Sequence, residues 1–362
     1  MNEAKLCFSL GILKHFINDS LALNSEEHKL TGFSLINTIL DAAAHNTYFE
    51  TMGNKSDTIY LRIKDTITEM TTYSYLGYIK RLSEKFNWKS KNVILAFDYT
   101  DEEFYGEVQG LDIYGWTGKE GITGKFKFIT CSIVSDEIPE KIPLVSLPMH
   151  VGHYKSSVIL HCLYLIKNYI GGIELLLFDR GFYDKDLMYE LIKSDYPFLI
   201  FVPKSNDKKE ILYPLDKEEQ IAVIWDYEVN KDKTNYQFEA YLTFLKQIYD
   251  KKIDKDLDWV FATNVKEVAL SNIIATYKKR WRIETSFRVQ DEAKIKCKSK
   301  DMKIRYFLFM FEQLLQTQWI CFYKEEVSFK KFIIEMQKTA KKWAAKPKKN
   351  YEFSLKHKDL RM

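Results

Sequence analysis

Two acidic residues, Asp98 and Asp179, each follow a short run of apolar residues. The runs cover residues 93–97 and 173–178, and continuous apolar runs of this length are typical of strands that are buried on both faces. A carboxylate at the end of a buried strand is costly unless a partner compensates its charge. One such aspartate is equally well explained as a turn cap, but two at equivalent strand ends indicate one shared metal site.

A third acid, Glu284, lies in a segment that is predicted to be helical from Ser271 onward. Tyr277, Arg280 and Glu284 are spaced i, i+3 and i+7, so they fall within an arc of about 60° on one helix face. A carboxylate, a guanidinium and a phenol on one face suit a site that holds both a metal ion and a phosphate. Taken alone, the segment is also compatible with a solvated, charged helix.

Three carboxylates in one site need a cation, because they cannot all stay ionised side by side in a dry environment. Hard oxygen ligands favour Mg²⁺ or Mn²⁺. Two such ions, about 3.5–4 Å apart, can activate a water or a 3′-hydroxyl and stabilise the leaving oxygen in a phosphoryl displacement. The chain has no GxxxxGK[ST] loop, so hydrolysis of nucleoside triphosphates is not indicated.

The elements that must position these residues change in type along the chain. Residues 1–88 have a helical pattern, and this unit either binds DNA or packs as an appendage. Residues 89–205 and 258–325 mix strand and helix patterns and form the predicted α/β catalytic core. Residues 206–257 are predicted to be a β-rich insertion. Residues 326–362 are predicted to be a basic C-terminal tail. From about residue 338 it is lysine-dense, and this part is either solvated and frayed or able to bind phosphate.

The composition is that of a globular protein with a large core. The chain has 362 residues, of which 46% are hydrophobic and 15% aromatic. Its five cysteines are scattered and fit reduced thiols, and its formal net charge of +4 permits a polyanionic partner. No apolar run approaches the ~20 residues of a membrane span, and the N-terminal sequence lacks the layout of a signal peptide. We therefore expect a cytoplasmic protein without membrane partners.

Each of the three acids also lies within a short motif. The first begins DYT and is followed by Tyr105 and Gly106, and the second begins DRGF. The third ends the pattern Y-x2-R-x3-E, and a long segment separates it from the second. Together, in this order, the motifs resemble those of DDE-type transposases of prokaryotic insertion sequences, in the branch that carries a β-rich insertion before the glutamate. The resemblance extends over most of the chain, from about residue 30 to residue 325.

The resemblance implies a fold and a set of site residues. The fold is a ribonuclease-H-like mixed sheet with flanking helices, preceded by a helical N-terminal DNA-binding domain. Asp98, Asp179 and Glu284 are implied to be the catalytic acids that bind two Mg²⁺ or Mn²⁺ ions. Tyr277 and Arg280 are implied to contact the DNA backbone near the transposon end.

The chain departs from the family pattern at one position, where the family has a lysine seven residues after the glutamate. That position is Asp291 here, and an acid would repel a phosphate. We predict that a nearby cation restores the DNA contact. Arg288, one helical turn after Glu284, is the favoured candidate, and Lys294 is the second.

The function predicted from these observations is cut-and-paste DNA transposition. The protein would bind the terminal inverted repeats of its element, cleave the ends and join them to target DNA, as a homodimer in the synaptic complex and associated with the nucleoid. One alternative is a ribonuclease-H-like, structure-selective nuclease or resolvase. The other is a DNA-binding protein that descends from a transposase and no longer has catalytic activity.

Overall fold

The chain folds around one mixed β-sheet of nine strands. The computed structural model describes residues 2–23, 32–231, 233–250 and 254–344. The strands, in chain order, are β1 (Asn92–Phe104), β2 (Tyr114–Gly115), β3 (Gly124–Ile133), β4 (Pro143–Met149), β5 (Gly172–Phe178), β6 (Phe198–Phe201), β7 (Gln220–Lys231), β8 (Thr234–Asp250) and β9 (Lys255–Thr263).

Helices flank this sheet and dominate both ends of the chain. They are α1 (Glu3–Ser20), α2 (Gly32–His45), α3 (Asn54–Lys64), α4 (Thr68–Phe86), α5 (Lys155–Ile166), α6 (Lys185–Lys193), α7 (Asn206–Leu212), α8 (Lys266–Leu270), α9 (Ile273–Lys278), α10 (Trp281–Gln290), α11 (Met302–Phe322) and α12 (Phe329–Ala344). None of the helices within the described ranges is long and apolar enough to cross a membrane.

The central part of the sheet has the strand order β4-β3-β1-β5-β6. β1, β5 and β6 run parallel to one another, whereas β3 is antiparallel to both β1 and β4. The helix α5 connects β4 to β5, and α6 connects β5 to β6. The predicted fold class, a ribonuclease-H-like mixed sheet with flanking helices, is confirmed.

The segment predicted to be a β-rich insertion extends this same sheet. β9 pairs with β6, β8 pairs with β9, and β7 forms a long hairpin with β8. At the end of β7, the Lys231 ammonium lies 3.2 Å from the Asp186 carboxylate and 2.5 Å from the Glu190 carboxylate, both on α6. The hairpin is therefore attached to the core both through the sheet and through α6.

The helix α1 shares one hydrophobic core with α11, which lies late in the chain. The Phe16 ring of α1 stacks on Phe307 of α11 with centroids 5.7 Å apart, and the Ser9 hydroxyl of α1 lies 2.8 Å from the Tyr323 hydroxyl. α4 packs against both α1 and α11. The helical pattern predicted for residues 1–88 is thus present. Its division from the rest of the chain as a separate domain stays a prediction.

The predicted basic tail begins as a helix that packs on the core. α12 lies against α2 and buries an apolar stripe of Phe329, Phe332, Ile333 and Met336. The prediction of a frayed terminus from about residue 338 is therefore wrong for residues 338–344, because α12 continues through them and buries Thr339 and Ala340. Residues 345–362 of the predicted tail lie outside the described residues.

The strand that carries the first acid is longer than the sequence predicted. The apolar run at residues 93–97 suggested that the strand ends at Asp98. Instead, β1 continues to Phe104 and stays paired with β3 along this whole stretch. Glu102, on the same face of β1 as Asp98, is only 9% exposed. Asp98 therefore lies in the middle of a strand, where backbone pairing on the β3 side fixes its position.

Candidate catalytic site

The first two acids occupy equivalent positions relative to the adjacent parallel strands β1 and β5. Phe97 of β1 is in register with Phe178 of β5, so Asp98 and Asp179 follow side by side. The rings of Phe97 and Phe178 stack with centroids 5.1 Å apart. On the far side of the acids, Tyr99 stacks on Phe182 at 4.2 Å, with the ring planes nearly parallel. The aromatic residues of the DYT and DRGF motifs thus hold the two acidic motifs together.

Asp179 begins a single 3₁₀ turn formed by residues 180–182. Its carboxylate accepts a hydrogen bond of 2.7 Å from the backbone N–H of Arg180, which fixes one of its two oxygens. The same turn is held from the other side by Lys155 at the start of α5, whose ammonium donates to the Gly181 carbonyl at 2.9 Å. The second acid is therefore positioned by the turn that the DRGF motif forms.

The third acid lies just after a break in the predicted helix. The sequence predicted one continuous helix from Ser271, but the structure has α9 and α10 with a tight turn between them. In this turn the N–H of Arg280 donates to the carbonyl of Tyr277 at 2.9 Å, and the N–H of Ile283 donates to that of Arg280 at 3.0 Å. These bonds span three residues instead of four, so they wind the backbone more tightly than an α-helix.

Arg280 connects the acids of the sheet and the helix. One of its terminal nitrogens lies 3.0 Å from the Asp98 carboxylate, and the other lies 2.5 Å from the Glu284 carboxylate. Its Nε donates to the Tyr277 hydroxyl at 3.2 Å. The Arg280 side chain is only 4% exposed, compared with 15% for Asp98 and 38% for Glu284. The Y-x2-R-x3-E pattern therefore forms an internal network with the first aspartate.

The protonation of Asp98 reflects a balance of opposing effects. Burial raises the pKa of Asp98 to about 6, the Arg280 guanidinium and the Tyr99 N–H oppose this rise, and the charges of Asp179 and Glu284 add to it. Burial likewise raises the pKa of the Tyr277 phenol, which stays neutral and accepts from Arg280. The three acids therefore interact with one another electrostatically.

The acids have the right chemistry for a hard divalent cation, but a guanidinium stands between two of them. Carboxylate oxygens are the ligands that Mg²⁺ and Mn²⁺ prefer. Within the described ranges, however, no group of three or more acidic, histidine or cysteine side chains is arranged to hold a metal ion. Asp98 and Glu284 instead share Arg280. The three carboxylates are therefore suitable metal ligands by their chemistry, but two of them are positioned to bind Arg280 in this structure.

The four residues predicted to contact DNA lie in different environments. Tyr277 and Arg280 are 1% and 4% exposed, so neither reaches the surface in this arrangement. Arg288 is exposed on α10, and no described residue forms an ion pair with it. Lys294 lies 3.6 Å from the Asp291 carboxylate, on the 3₁₀ turn that follows α10. All four DNA contacts stay predictions.

A second buried group of charges, which the sequence analysis missed, lies further along β1. The Arg305 guanidinium of α11 is 3.4 Å from the Glu102 carboxylate. The Glu312 carboxylate accepts a hydrogen bond of 2.6 Å from the N–H of Ile295. Burial raises the pKa of both glutamates above their usual value. The alternation of Asp98, Thr100 and Glu102 along the strand was the available signal, because alternate residues share one face.

Two of the comparisons with known proteins found a match. A family model described as the transposase DDE domain matches residues 157–315, which include Asp179 and Glu284 and begin after Asp98. No curated protein sequence matches the chain.

Among solved structures, the chain resembles one described as the cryo-EM structure of a piggyBac transposase synaptic complex with hairpin DNA. The sequence identity is 10%, and the TM-score is 0.53. The match covers 94% of this chain and 80% of the other. At this identity the likeness concerns the fold. The resemblance that the three motifs predict is confirmed: the chain carries a DDE-type transposase domain on a ribonuclease-H-like fold.

Proposed function

We propose that the protein is a cut-and-paste transposase that binds the terminal inverted repeats of an insertion sequence, cleaves the ends and joins them to target DNA. One observation carries the proposal. Asp98 from the sheet and Glu284 from α10 meet at one arginine, and Asp179 follows the neighbouring strand in register with Asp98. Three acids gathered in one place are what metal-dependent phosphoryl transfer requires.

In this proposal Asp98, Asp179 and Glu284 hold two Mg²⁺ or Mn²⁺ ions, because they are the carboxylates that the fold gathers. When bound, such ions activate a water or a 3′-hydroxyl and neutralise the leaving oxygen. Arg280 offsets the charge of the acids. Tyr277 orients Arg280 through the hydrogen bond to its Nε. The stacked rings of Tyr99 and Phe182 keep the two aspartates at a fixed separation.

The proposed partner is double-stranded DNA, both the terminal repeats and the target. The piggyBac structure that shares this fold is described as a synaptic complex with hairpin DNA. For this chain we propose a homodimer, since two ends must be held together for joining. Arg288 is the proposed backbone contact on α10, because it is exposed and no described residue neutralises it. Such contacts make DNA binding depend steeply on salt concentration.

The test is cleavage of a labelled duplex that carries the terminal repeat next to the coding region, with Mg²⁺ or Mn²⁺. We expect Asp98→Asn, Asp179→Asn and Glu284→Gln each to abolish cleavage, because each weakens a carboxylate ligand. Asparagine is preferable to alanine at Asp98, because its amide oxygen can still accept a hydrogen bond from the buried Arg280 guanidinium. Glu228→Ala, an exposed acid on β7, is the matched control and should cleave normally.

The products distinguish the proposal from its alternatives. A transposase joins the cleaved end to a second duplex and requires the cognate repeat. Cleavage of any branched or random DNA without joining would instead indicate a nuclease or resolvase. Binding without cleavage, in a wild-type protein that is shown to be folded, would indicate a DNA-binding protein that has lost catalysis. Undiminished cleavage by one of the three acid variants would remove that residue from the site.

A further inference from the structure

Arg280 is the cation that the acid site already contains. Its guanidinium is buried and uses all three nitrogens, for Asp98, Glu284 and the Tyr277 hydroxyl. The Asp98 contact joins residues that are 182 positions apart in the chain, so it forms only when α10 docks on the sheet. In this arrangement the Arg280 guanidinium lies between the Asp98 and Glu284 carboxylates, where a metal ion would otherwise be bound.

The neighbouring cations do not take part in this arrangement. Lys279 and Arg282 both pair with Asp136, at 2.8 Å and 2.5 Å. Lys278 lies 3.1 Å from the carboxylate of Asp250. Among the cations of residues 278–282, Arg280 is thus the one that is turned toward the acids. A nearby control for its charge exists in Arg282, which belongs to the same turn of chain but neutralises a different acid.

The two carboxylates that pair with Arg280 differ in how easily each can separate from it. The Asp98 carboxylate is 15% exposed and fixed by the paired strand β1, and its other oxygen accepts the Tyr99 N–H at 2.8 Å. Glu284 is 38% exposed and lies in the first turn of α10. An ion pair that borders solvent costs less to separate than a buried one, because water replaces the lost contact. Glu284 is therefore the ligand that can exchange partners.

We propose that Arg280 is a resident cation that competes with divalent metal ions, and that Glu284 must release Arg280 before the three acids can bind a metal. This inference rests on the proposed function. It explains why the acids, although gathered in one place, are not arranged around a metal ion in the described residues. If Arg280 competes in this way, the affinity for a metal ion depends on Arg280 as well as on the three acids.

The test is Mn²⁺ binding to the full-length protein without DNA, measured by the loss of the free Mn²⁺ signal in electron paramagnetic resonance. We expect Arg280→Gln to bind Mn²⁺ about tenfold more tightly or better, since Mn²⁺ no longer has to displace a charge-assisted hydrogen bond from Glu284. Arg282→Gln is the matched control and should bind as the wild type does.

A second variant separates the bridging contact from the charge alone and serves if Arg280→Gln does not fold. Arg280→Lys keeps the positive charge but lacks the planar fork that reaches two carboxylates. Mn²⁺ binding should then be tighter than in the wild type and weaker than in Arg280→Gln. Unchanged or weaker Mn²⁺ affinity in Arg280→Lys, or in a folded Arg280→Gln, would overturn the competition and leave Arg280 as a supporting residue.

The result also separates this inference from the proposed function. If the wild type binds Mn²⁺ and Asp179→Asn or Glu284→Gln abolishes binding, the metal site exists, and the Arg280 variants decide the inference alone. If neither the wild type nor any Arg280 variant binds Mn²⁺, the metal site and the competition fail together.

Discussion

Replacement of Arg288 by alanine gives a direct test of which cation contacts the DNA backbone. Arg288 is exposed on α10, four residues after Glu284, and has no ion-pair partner within the described ranges. Lys294 is instead directed at acids of the protein. Burial lowers its pKa, but Asp291, Glu102 and Glu312 outweigh burial and raise it overall. Because Lys294 pairs with Asp291 and is attracted by two buried glutamates, it is less available to a phosphate than Arg288, and we expect Arg288 to be the contact.

The expected effect follows from counterion release. One lost phosphate contact flattens the slope of log affinity against log salt by about 0.9. Between about 50 and 200 mM salt, this change corresponds to a factor of roughly 3.5. The affinity ratio of wild type to Arg288→Ala should therefore shrink by this factor across that range. The free energy of unfolding should change by less than about 0.5 kcal/mol, because the side chain is exposed and unpaired.

The assay is fluorescence anisotropy of a labelled terminal-repeat duplex at several salt concentrations, without divalent metal so that no cleavage occurs. Lys294→Ala is the comparison variant, and we expect it to leave the salt slope unchanged. It should lower the free energy of unfolding, because Asp291 and the buried Glu102 and Glu312 then repel one another without the lysine charge. Asp291→Lys should raise affinity by removing a charge that repels phosphate.

A salt slope that is unchanged in Arg288→Ala but flatter in Lys294→Ala would refute the reasoning and move the contact to Lys294. If neither variant changes the slope and Asp291→Lys is neutral, the chain has lost this contact altogether.

Two further predictions concern stability. Burial raises the pKa of Glu312 well above its ordinary 4.5, so the folded protein retains a proton that the unfolded chain releases as the pH rises. As the pH rises from 5 to 8, the free energy of unfolding of the wild type should fall relative to that of Glu312→Gln, by up to about 1.4 kcal/mol per pH unit. Urea unfolding measures both, and a difference between them that does not change with pH would contradict this. In a second pair, Gly171→Ala should cost about 1–3 kcal/mol because its Cβ would lie 2.7 Å from the Lys89 carbonyl oxygen. Gly77→Ala, in open space on α4, should gain about 0.5–1 kcal/mol, and equal effects at the two glycines would refute the steric argument.

The sequence predicted the elements that carry the acids, because their signals are local. Apolar runs that end before Asp98 and Asp179 indicated two buried strands that bring their acids to one site, and the structure pairs these strands in parallel. The polar residues that continue β1 past Asp98 were not recognised as part of the strand. What keeps Glu102 buried is Arg305 of α11, 203 positions away, and no local pattern shows such a partner.

The same limit applies to the Y-x2-R-x3-E pattern. Its spacing correctly placed Tyr277, Arg280 and Glu284 on one side of a helical segment. The spacing does not reveal whether that side faces solvent or the sheet, and in the structure Arg280 faces Asp98. The packed helix α12 was predictable in principle, since its apolar residues recur at helical spacing, but the density of lysines suggested a solvated tail.

The core that α1 shares with α11 has a consequence for how the protein is made. Leu13 and Phe16 of α1 are buried, and Phe307 and Phe311 of α11 cover Phe16. During synthesis at about 5–20 residues per second, α1 waits roughly 15–60 s for α11 to emerge from the ribosome. In that interval α2 and α4 can already pack on α1, but the apolar side chains that contact α11, Phe16 among them, stay exposed to other chains. The core around α1 is therefore completed by a helix that is made late, and a truncated chain that stops before α11 lacks that part of the surface.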